Sequence, residues 1–438
     1  MGITKFWPEI AGLGERKSLE QWSKEHLEKH RRPLRIAVDE AHMRYKAPGA
    51  QKIKKIKSNA PGAQPIERNI MYRVLRLLKH GILPIFVFDG DERPGNKNRS
   101  TGRKSKHGNA GDRLELLKKL LDALHVPRHQ ARGEAEAECA ALQSMGIVDA
   151  VWTEDCDAFM FGCSVVVRKT EKSDVVEIFR LERLRERGFT CKEAVVLFAV
   201  LVGCDYTKGL SDCGVALARK VLLDPNVQAG DLLEQSWCIE THSERTSWLR
   251  RLKDVLPASL KDAVKDNEFA SLTTLRNCRR PTVSAPQTLE RLRLLAYHGY
   301  TAAELQKNIP FLQKHFNHNY ASTWLLEKLA PVQLVWSLLK REPWARNLVA
   351  ASKQKNKKTR LTSSFPVDPL RTFPGIDDSS IKKVFFGANT ITTVNLKIPD
   401  AILGYVMAGQ EDVGRSRSLR SGPQRSVRIP APIPIVLD

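Results

Sequence analysis

No stretch of this chain approaches the ~20 consecutive apolar residues of a membrane-spanning helix, and no secretory leader is expected. The eight cysteines, at positions 139, 156, 163, 191, 204, 213, 238 and 278, include no C-x-x-C pair. That spacing excludes a disulfide framework and a zinc motif, and fits a reducing cytosol or nucleus. From Glu92 to Ala110 there is no Ile, Leu, Val, Phe, Trp or Tyr, and six Lys/Arg face one acid. Such a segment has nothing to bury and is expected to be a mobile loop that seeks phosphates. Acids are scarce overall, 49 against 71 Lys and Arg, a net charge of +22 that asks for a polyanionic partner.

The acids that are present fall at particular places. Arg35-Ile-Ala-Val-Asp39, Pro84-Ile-Phe-Val-Phe-Asp89 and Asp149-Ala-Val-Trp-Thr-Glu-Asp155 read as short apolar strands, each stopping on an aspartate. Separated by helical patterns, they predict an α/β fold: a mixed, mostly parallel sheet flanked by helices, with its chemistry at the strands' carboxyl ends. Glu134 and Glu136 open a helix, Asp157 follows Asp155, and Gly203-Cys-Asp205-Tyr closes the apolar run from Ala194. Like carboxylates gathered in one place raise each other's pKa, and a cation relieves this. Seven carboxylates, Asp39, Asp89, Glu134, Glu136, Asp155, Asp157 and Asp205, suit two ions ~4 Å apart. All-oxygen ligation favours Mg²⁺, with Mn²⁺ as a substitute, over zinc. The plainer alternative is that each Asp caps a helix and each Glu is a solvated first-turn acid.

An acidic cluster inside a basic protein is what phosphodiester cleavage requires, with Lys and Arg holding the backbone and metal ions activating water. Lys52, Lys54, Lys55 and Lys57 lie between two Ala-Pro-Gly-Ala-Gln repeats, and Arg93, Arg99 and Lys106 lie in the apolar-free segment. Further on, Lys208-Gly209…Gly214…Arg219-Lys220 resembles the turn and second helix of a helix-hairpin-helix. In that motif backbone N–H groups hold a phosphate, sometimes through a monovalent cation such as K⁺. Here Asp212 stands where such motifs usually have Gly, and an ordinary glycine-opened helix is the alternative.

Domains are expected at 1–110 and 111–240 (two halves of a nuclease, the second with the helix-hairpin-helix), 241–350 (a helical extension) and 365–412 (a small strand-containing module). A basic, disordered tail is expected over 413–438. Lys353 to Arg360 reads as a basic linker or a nuclear localisation signal.

Six motifs together resemble the flap endonuclease/XPG family of structure-specific nucleases: Met1-Gly2-Ile3…Phe6-Trp7, Ile36-Ala-Val-Asp39, Val87-Phe-Asp89-Gly90, Glu134-Ala-Glu136-Ala, Thr153-Glu-Asp155-Cys-Asp157 and Gly203-Cys-Asp205-Tyr206. They run in order over roughly residues 1–220. The resemblance implies two-metal hydrolysis of DNA with the seven acids as ligands, Gly2 against the DNA, and basic residues after Asp89 on the scissile phosphate. Lys97 and either Arg103 or Lys104 are the candidates for that grip. Asp89 and Glu134 are 45 positions apart, a gap too short for a closed threading arch, which is similar to the eukaryotic Holliday junction resolvases. That branch implies a nuclear enzyme, monomeric in free solution and a homodimer on four-way junctions, cutting two symmetric strands to leave 5′-phosphate and 3′-hydroxyl ends. It also implies a chromodomain-like module for residues 365–412. A 5′ flap or bubble endonuclease is the nearest alternative, and a non-catalytic DNA-binding scaffold the alternative of another class.

Overall fold

The computed structural model describes residues 2–45, 65–94, 109–170, 174–228, 232–234, 239–264, 269–316, 322–351, 362–367 and 394–405. The basic candidates Lys52, Lys54, Lys55, Lys57, Lys97, Arg99, Arg103, Lys104 and Lys106 lie outside them, as do the linker 353–360 and the tail 413–438.

Leu34-Arg-Ile-Ala-Val-Asp39 and Ile82-Leu-Pro-Ile-Phe-Val-Phe88 are almost continuously apolar, the pattern of strands covered on both faces. They form β2 (Leu34–Asp39) and β3 (Ile82–Phe88), parallel, with Leu34 opposite Ile82 and Asp39 opposite Val87. Five more strands complete the sheet: β1 (Glu15–Ser18), β4 (Arg128–Gln130), β5 (Ala150–Trp152), β6 (Val165–Lys169) and β7 (Val175–Arg180). The order is β1-β7-β6-β5-β2-β3-β4, parallel from β6 to β4, with β7 and β1 antiparallel at one edge. The expected mixed, mostly parallel sheet is present. β2 sits between β5 and β3 while the chain runs first to one side and then to the other. That reversal is where an open α/β sheet forms its crevice.

Alternate residues of the strands feed two apolar layers. Ala37, Ile85, Val87 and Val151 pack with the helices Ala135–Ser144 and Lys192–Val202. Ile36, Val38, Phe86 and Phe88 pack beneath the helices Pro65–Lys79 and Asn109–Ala123. Every residue from Ala194 to Val202 is buried, so this helix lies inside the protein and not on its surface.

β5 ends at Trp152 and does not run on to Asp155 as the pattern predicts. The Asp155 N–H donates to Thr153 Oγ1 at 3.1 Å, a side-chain turn that carries the chain off the sheet edge. Short β1 and β4 carried no apolar run and were not expected.

The segments 1–110 and 111–240 both contribute strands to this one sheet. The helical segment beyond 241 joins the same core: Trp336 donates to the Leu78 carbonyl at 2.9 Å and Tyr300 to that of Ala123 at 3.0 Å. The helix Ser322–Leu339 runs through Pro331 without breaking, contrary to the interruption the sequence implies. Of the module at 365–412, the described residues form part of an antiparallel pair, β8 (Thr362–Val367) and β9 (Val394–Pro399), with Ile398, Ile402 and Leu403 buried in the main core. The rest of that module lies outside the described residues.

Candidate active site

The register of β2 against β5 sets the first contact. Val38 faces Trp152, so the next residues on each strand, Asp39 and Thr153, meet at the carboxyl edge. Thr153 Oγ1 donates to Asp39 Oδ2 at 2.9 Å, and the Ala41 N–H donates to Asp39 Oδ1 at 3.1 Å. Asp39 therefore does serve partly as a cap for the following helix, Glu40–Tyr45. Its other oxygen does more. It binds His42 Nδ1, one turn along that helix. The far side of the same imidazole, Nε2, lies 3.8 Å from Asp155 Oδ2. Asp157 follows, its N–H donating to Asp155 Oδ1 at 3.1 Å.

The helix Ala135–Ser144 brings the next acids. Glu134 occupies its N-cap position, yet its side chain makes no capping hydrogen bond; it accepts instead from the Tyr206 hydroxyl. Glu136 reaches the Asp39–His42 pair, the ligand atoms of all three lying within 4.8 Å of one another. Asp89, just past β3, accepts from the Ala135 N–H at 3.1 Å and from Arg93 at 2.8 Å. Asp205 accepts from the Gly2 N–H at 3.3 Å. Gly2 has φ +91° and lies so close to the cluster that a Cβ there would stand 2.1 Å from Asp155 Oδ1. Phe6, fully buried among Phe159, Phe189 and Phe198 at centroid distances of 5.8, 5.0 and 6.0 Å, pins that segment over the sheet edge.

Asp39, Glu134, Glu136, Asp155 and Asp157 are buried, from 1% to 7% exposed, whereas Asp89 and Asp205 are half-buried at the rim. This burial decides between the two readings of the acids. A solvated first-turn carboxylate has no reason to be buried, and five together in a dry site repel one another strongly. The electrostatics show the crowding. Burial alone would lower the His42 pKa, but the hydrogen bond and charge of Asp39, then the charges of Asp155 and Glu136, raise it to about 9. Glu40 is held above the usual carboxylate range, chiefly by burial, against the pull of Arg44 and with a push from Asp39 and Asp89. The donor set is dominated by carboxylate oxygen, and Arg93 already places a cation on Asp89; both fit hard divalent ions.

Three residues of this site escape the sequence reading. His42 is signalled only by its i, i+3 spacing from Asp39, while Thr153 and Tyr206 stand unremarked inside quoted motifs. Glu138, in the same helix as Glu136, is excluded from the site: it is fully buried, bonded to His129 at 2.6 Å and to the Ser284 N–H at 2.9 Å.

On either side of Asp205 the helices Lys192–Val202 and Val215–Leu222 pack together around the turn expected of a helix-hairpin-helix. Gly209 has φ +86° and backs onto Gly203, where a Cβ would meet the Gly203 nitrogen at 2.6 Å. Asp212 has φ +60°, the left-handed conformation that glycine adopts freely and aspartate tolerates. Gly214 has open space around it, so nothing in the backbone demands glycine there. Lys208 and Lys220 are exposed, but Arg219 is tied to Glu9 at 2.6 Å and Arg93 to Asp89.

A mostly parallel sheet that gathers buried carboxylates at its carboxyl edge, beside a paired-helix turn, is the architecture of metal-dependent nucleases. Family comparison makes this specific: the chain matches the XPG N-terminal domain over residues 1–110 and the XPG I-region over 125–205. Over those two stretches the chain is similar to the XPG family of nucleases. Flap endonuclease 1 of Glossina morsitans morsitans is 32% identical over 185 residues, 35% of this chain and 48% of that protein. The chain thus spans about half the length of that curated relative. A structure of the Holliday junction-resolving enzyme GEN1 with product DNA and Mg²⁺ superposes with a TM-score of 0.68 at 27% identity, over 95% of this chain and 99% of the other. A second structure of a eukaryotic junction-resolving enzyme GEN-1, binding potassium, gives 0.67 at 26%, over 95% and 100%.

Proposed function

We propose that this chain is a structure-specific DNA endonuclease acting on four-way junctions. The observation that carries the reading is the burial of five acids, Asp39, Glu134, Glu136, Asp155 and Asp157, in a protein with net charge +22. Asp39, Asp89, Glu134, Glu136, Asp155, Asp157 and Asp205 would hold two Mg²⁺ ions. When bound, these ions supply Lewis acidity that activates water and stabilises charge on the phosphoryl oxygens.

The chain's own residues do the rest. Thr153 and His42 fix the orientation of Asp39, and Tyr206 fixes that of Glu134. Gly2 leaves room for close approach of the backbone at the rim, where a side chain would collide with Asp155. Lys97 and either Arg103 or Lys104 would neutralise the scissile phosphate. The water oxygen bonds to phosphorus as the bond to the 3′ oxygen breaks. The proton passes to that oxygen, giving 5′-phosphate and 3′-hydroxyl ends.

The likeness to a junction-resolving enzyme over nearly all of both chains supports the junction as substrate, as does the short connection between Asp89 and Glu134. A 5′ flap is the second substrate to test. One cluster cuts one strand, so resolving a junction takes two protomers related by a two-fold axis, assembled on DNA from monomers. Lys208, Gly209, Gly214 and Lys220 would hold a neighbouring duplex, with K⁺ at the turn. A nuclear location is part of the same proposal. Incubating a four-way junction with the protein and Mg²⁺ tests the reading: paired nicks are expected from the wild-type chain. With Asp39→Asn, nicking falls at least ~10²-fold while junction binding remains. Full-rate nicking by that variant would refute the site.

A further inference from the structure

Building on the metal-binding reading above, we propose that His42 is a nitrogen ligand of one ion in this site, biasing it toward Mn²⁺ relative to Mg²⁺. His42 lies three residues after Asp39 on the helix Glu40–Tyr45, so its ring returns to the face of the cluster. It is only 8% exposed. Nδ1 is occupied by Asp39, with Thr153 Oγ1 a further 3.3 Å contact. This fixes the ring and directs Nε2 toward Asp155.

The gap of 3.8 Å between Nε2 and Asp155 Oδ2 is too long for a hydrogen bond. It lies between the ~3.0 Å of adjacent ligands and the ~4.2 Å of opposed ligands of one ion with bonds of ~2.1 Å, so a shift of under ~1 Å lets both atoms reach a common ion. Glu136 stands close by, a carboxylate oxygen within 4.8 Å of a ring nitrogen of His42 and of a carboxylate oxygen of Asp39. The result is a carboxylate–histidine pair with its second nitrogen turned toward the Asp155 carboxylate, the arrangement that would set the tautomer of a metal-binding imidazole. The ion takes the place of the Nε2 proton. Mg²⁺ prefers oxygen and retains its waters, whereas Mn²⁺ accepts imidazole as well as carboxylate. A nitrogen at this place therefore separates two ions that an all-carboxylate site would bind more alike.

Pulsed EPR of the full chain loaded with Mn²⁺, without DNA, reads the ligand directly. The expected result is the ¹⁴N coupling of a bound imidazole, lost in His42→Gln. Calorimetry should show the Kd ratio of Mg²⁺ to Mn²⁺ falling about tenfold in that variant. Labelling the wild-type chain with ¹⁵N-histidine should replace the ¹⁴N pattern by a ¹⁵N one, which makes the test independent of whether His42→Gln folds. Among the described residues no other histidine joins the cluster. Saturable Mn²⁺ binding without nitrogen coupling overturns the role of His42 and leaves the carboxylate site standing. Absence of saturable binding by either ion, in wild type as in Asp157→Asn, overturns the metal-site reading and this assignment with it.

Discussion

Asp155 and Asp157 carry their carboxylates where water hardly reaches them, at 2% and 1% exposed, a few ångströms from each other. Such a pair destabilises the metal-free fold and stabilises the loaded one, since an ion that binds only the folded state shifts the equilibrium by mass action. Asp157→Asn removes one charge at nearly constant shape. In EDTA its Tm should rise by about 2 °C, the scale of ~1 kcal/mol in a domain of this kind. In Mg²⁺ the wild type should gain stability and the variant much less, a contrast that differential scanning calorimetry measures. At this scale the placement of Asp39 and Asp89 at the ends of β2 and β3, and of Glu134 and Glu136 at a helix start, was legible, because such ends are written in local pattern. His42 was not. Nothing in one sequence says that the first turn after β2 curls back onto its own aspartate, or that Thr153 stands opposite Asp39. Those facts need the register of β2 on β5.

Asp149 shows how elements are set in register. It accepts two hydrogen bonds from Arg32, at 2.9 and 2.6 Å, and one from the Arg35 N–H at 2.9 Å, tying the start of β5 to the start of β2. Burial alone would raise the Asp149 pKa, but the Arg32 pair and the Arg35 amide outweigh it and hold the carboxyl below the usual range. For a carboxylate lowered in the folded state, stability is present above the unfolded value near 4. It is lost as pH falls through the folded value below that. Asp149→Asn should cost about 2 kcal/mol at pH 7 and should flatten the dependence of stability on pH below ~4. Urea unfolding across that range checks both; an unchanged slope would mean that other acids dominate. The long helices and central strands were readable because their apolar periods are complete. β1 and β4 were not: short edge segments such as Arg128-His-Gln130 are recruited by their neighbours and carry no pattern of their own.

Across the whole molecule, acidic chemistry sits inside a basic protein. If the Lys and Arg of 52–57, 93–106 and 208–220 neutralise phosphates, log K for a junction should fall with log salt by ~0.9 per contact. Arg219 and Arg93 already have carboxylate partners, so Lys208→Ala and Lys220→Ala should reduce that slope more than Arg219→Ala does. Fluorescence anisotropy over a salt series measures it. A non-catalytic scaffold would share this dependence, but it would have no use for five buried carboxylates. The measurement that tests the central claim most directly is therefore cleavage of a four-way junction whose four arms are closed by hairpins, so that no free 5′ end exists. With Mg²⁺ the account predicts two symmetric, ligatable nicks at a rate comparable to the open junction, abolished by EDTA and by Asp39→Asn. If the closed junction resists cutting while an open 5′ flap is cut, the chain threads free ends and the proposed substrate is wrong. If neither is cut in Mg²⁺ or Mn²⁺, the seven acids are not a nuclease centre.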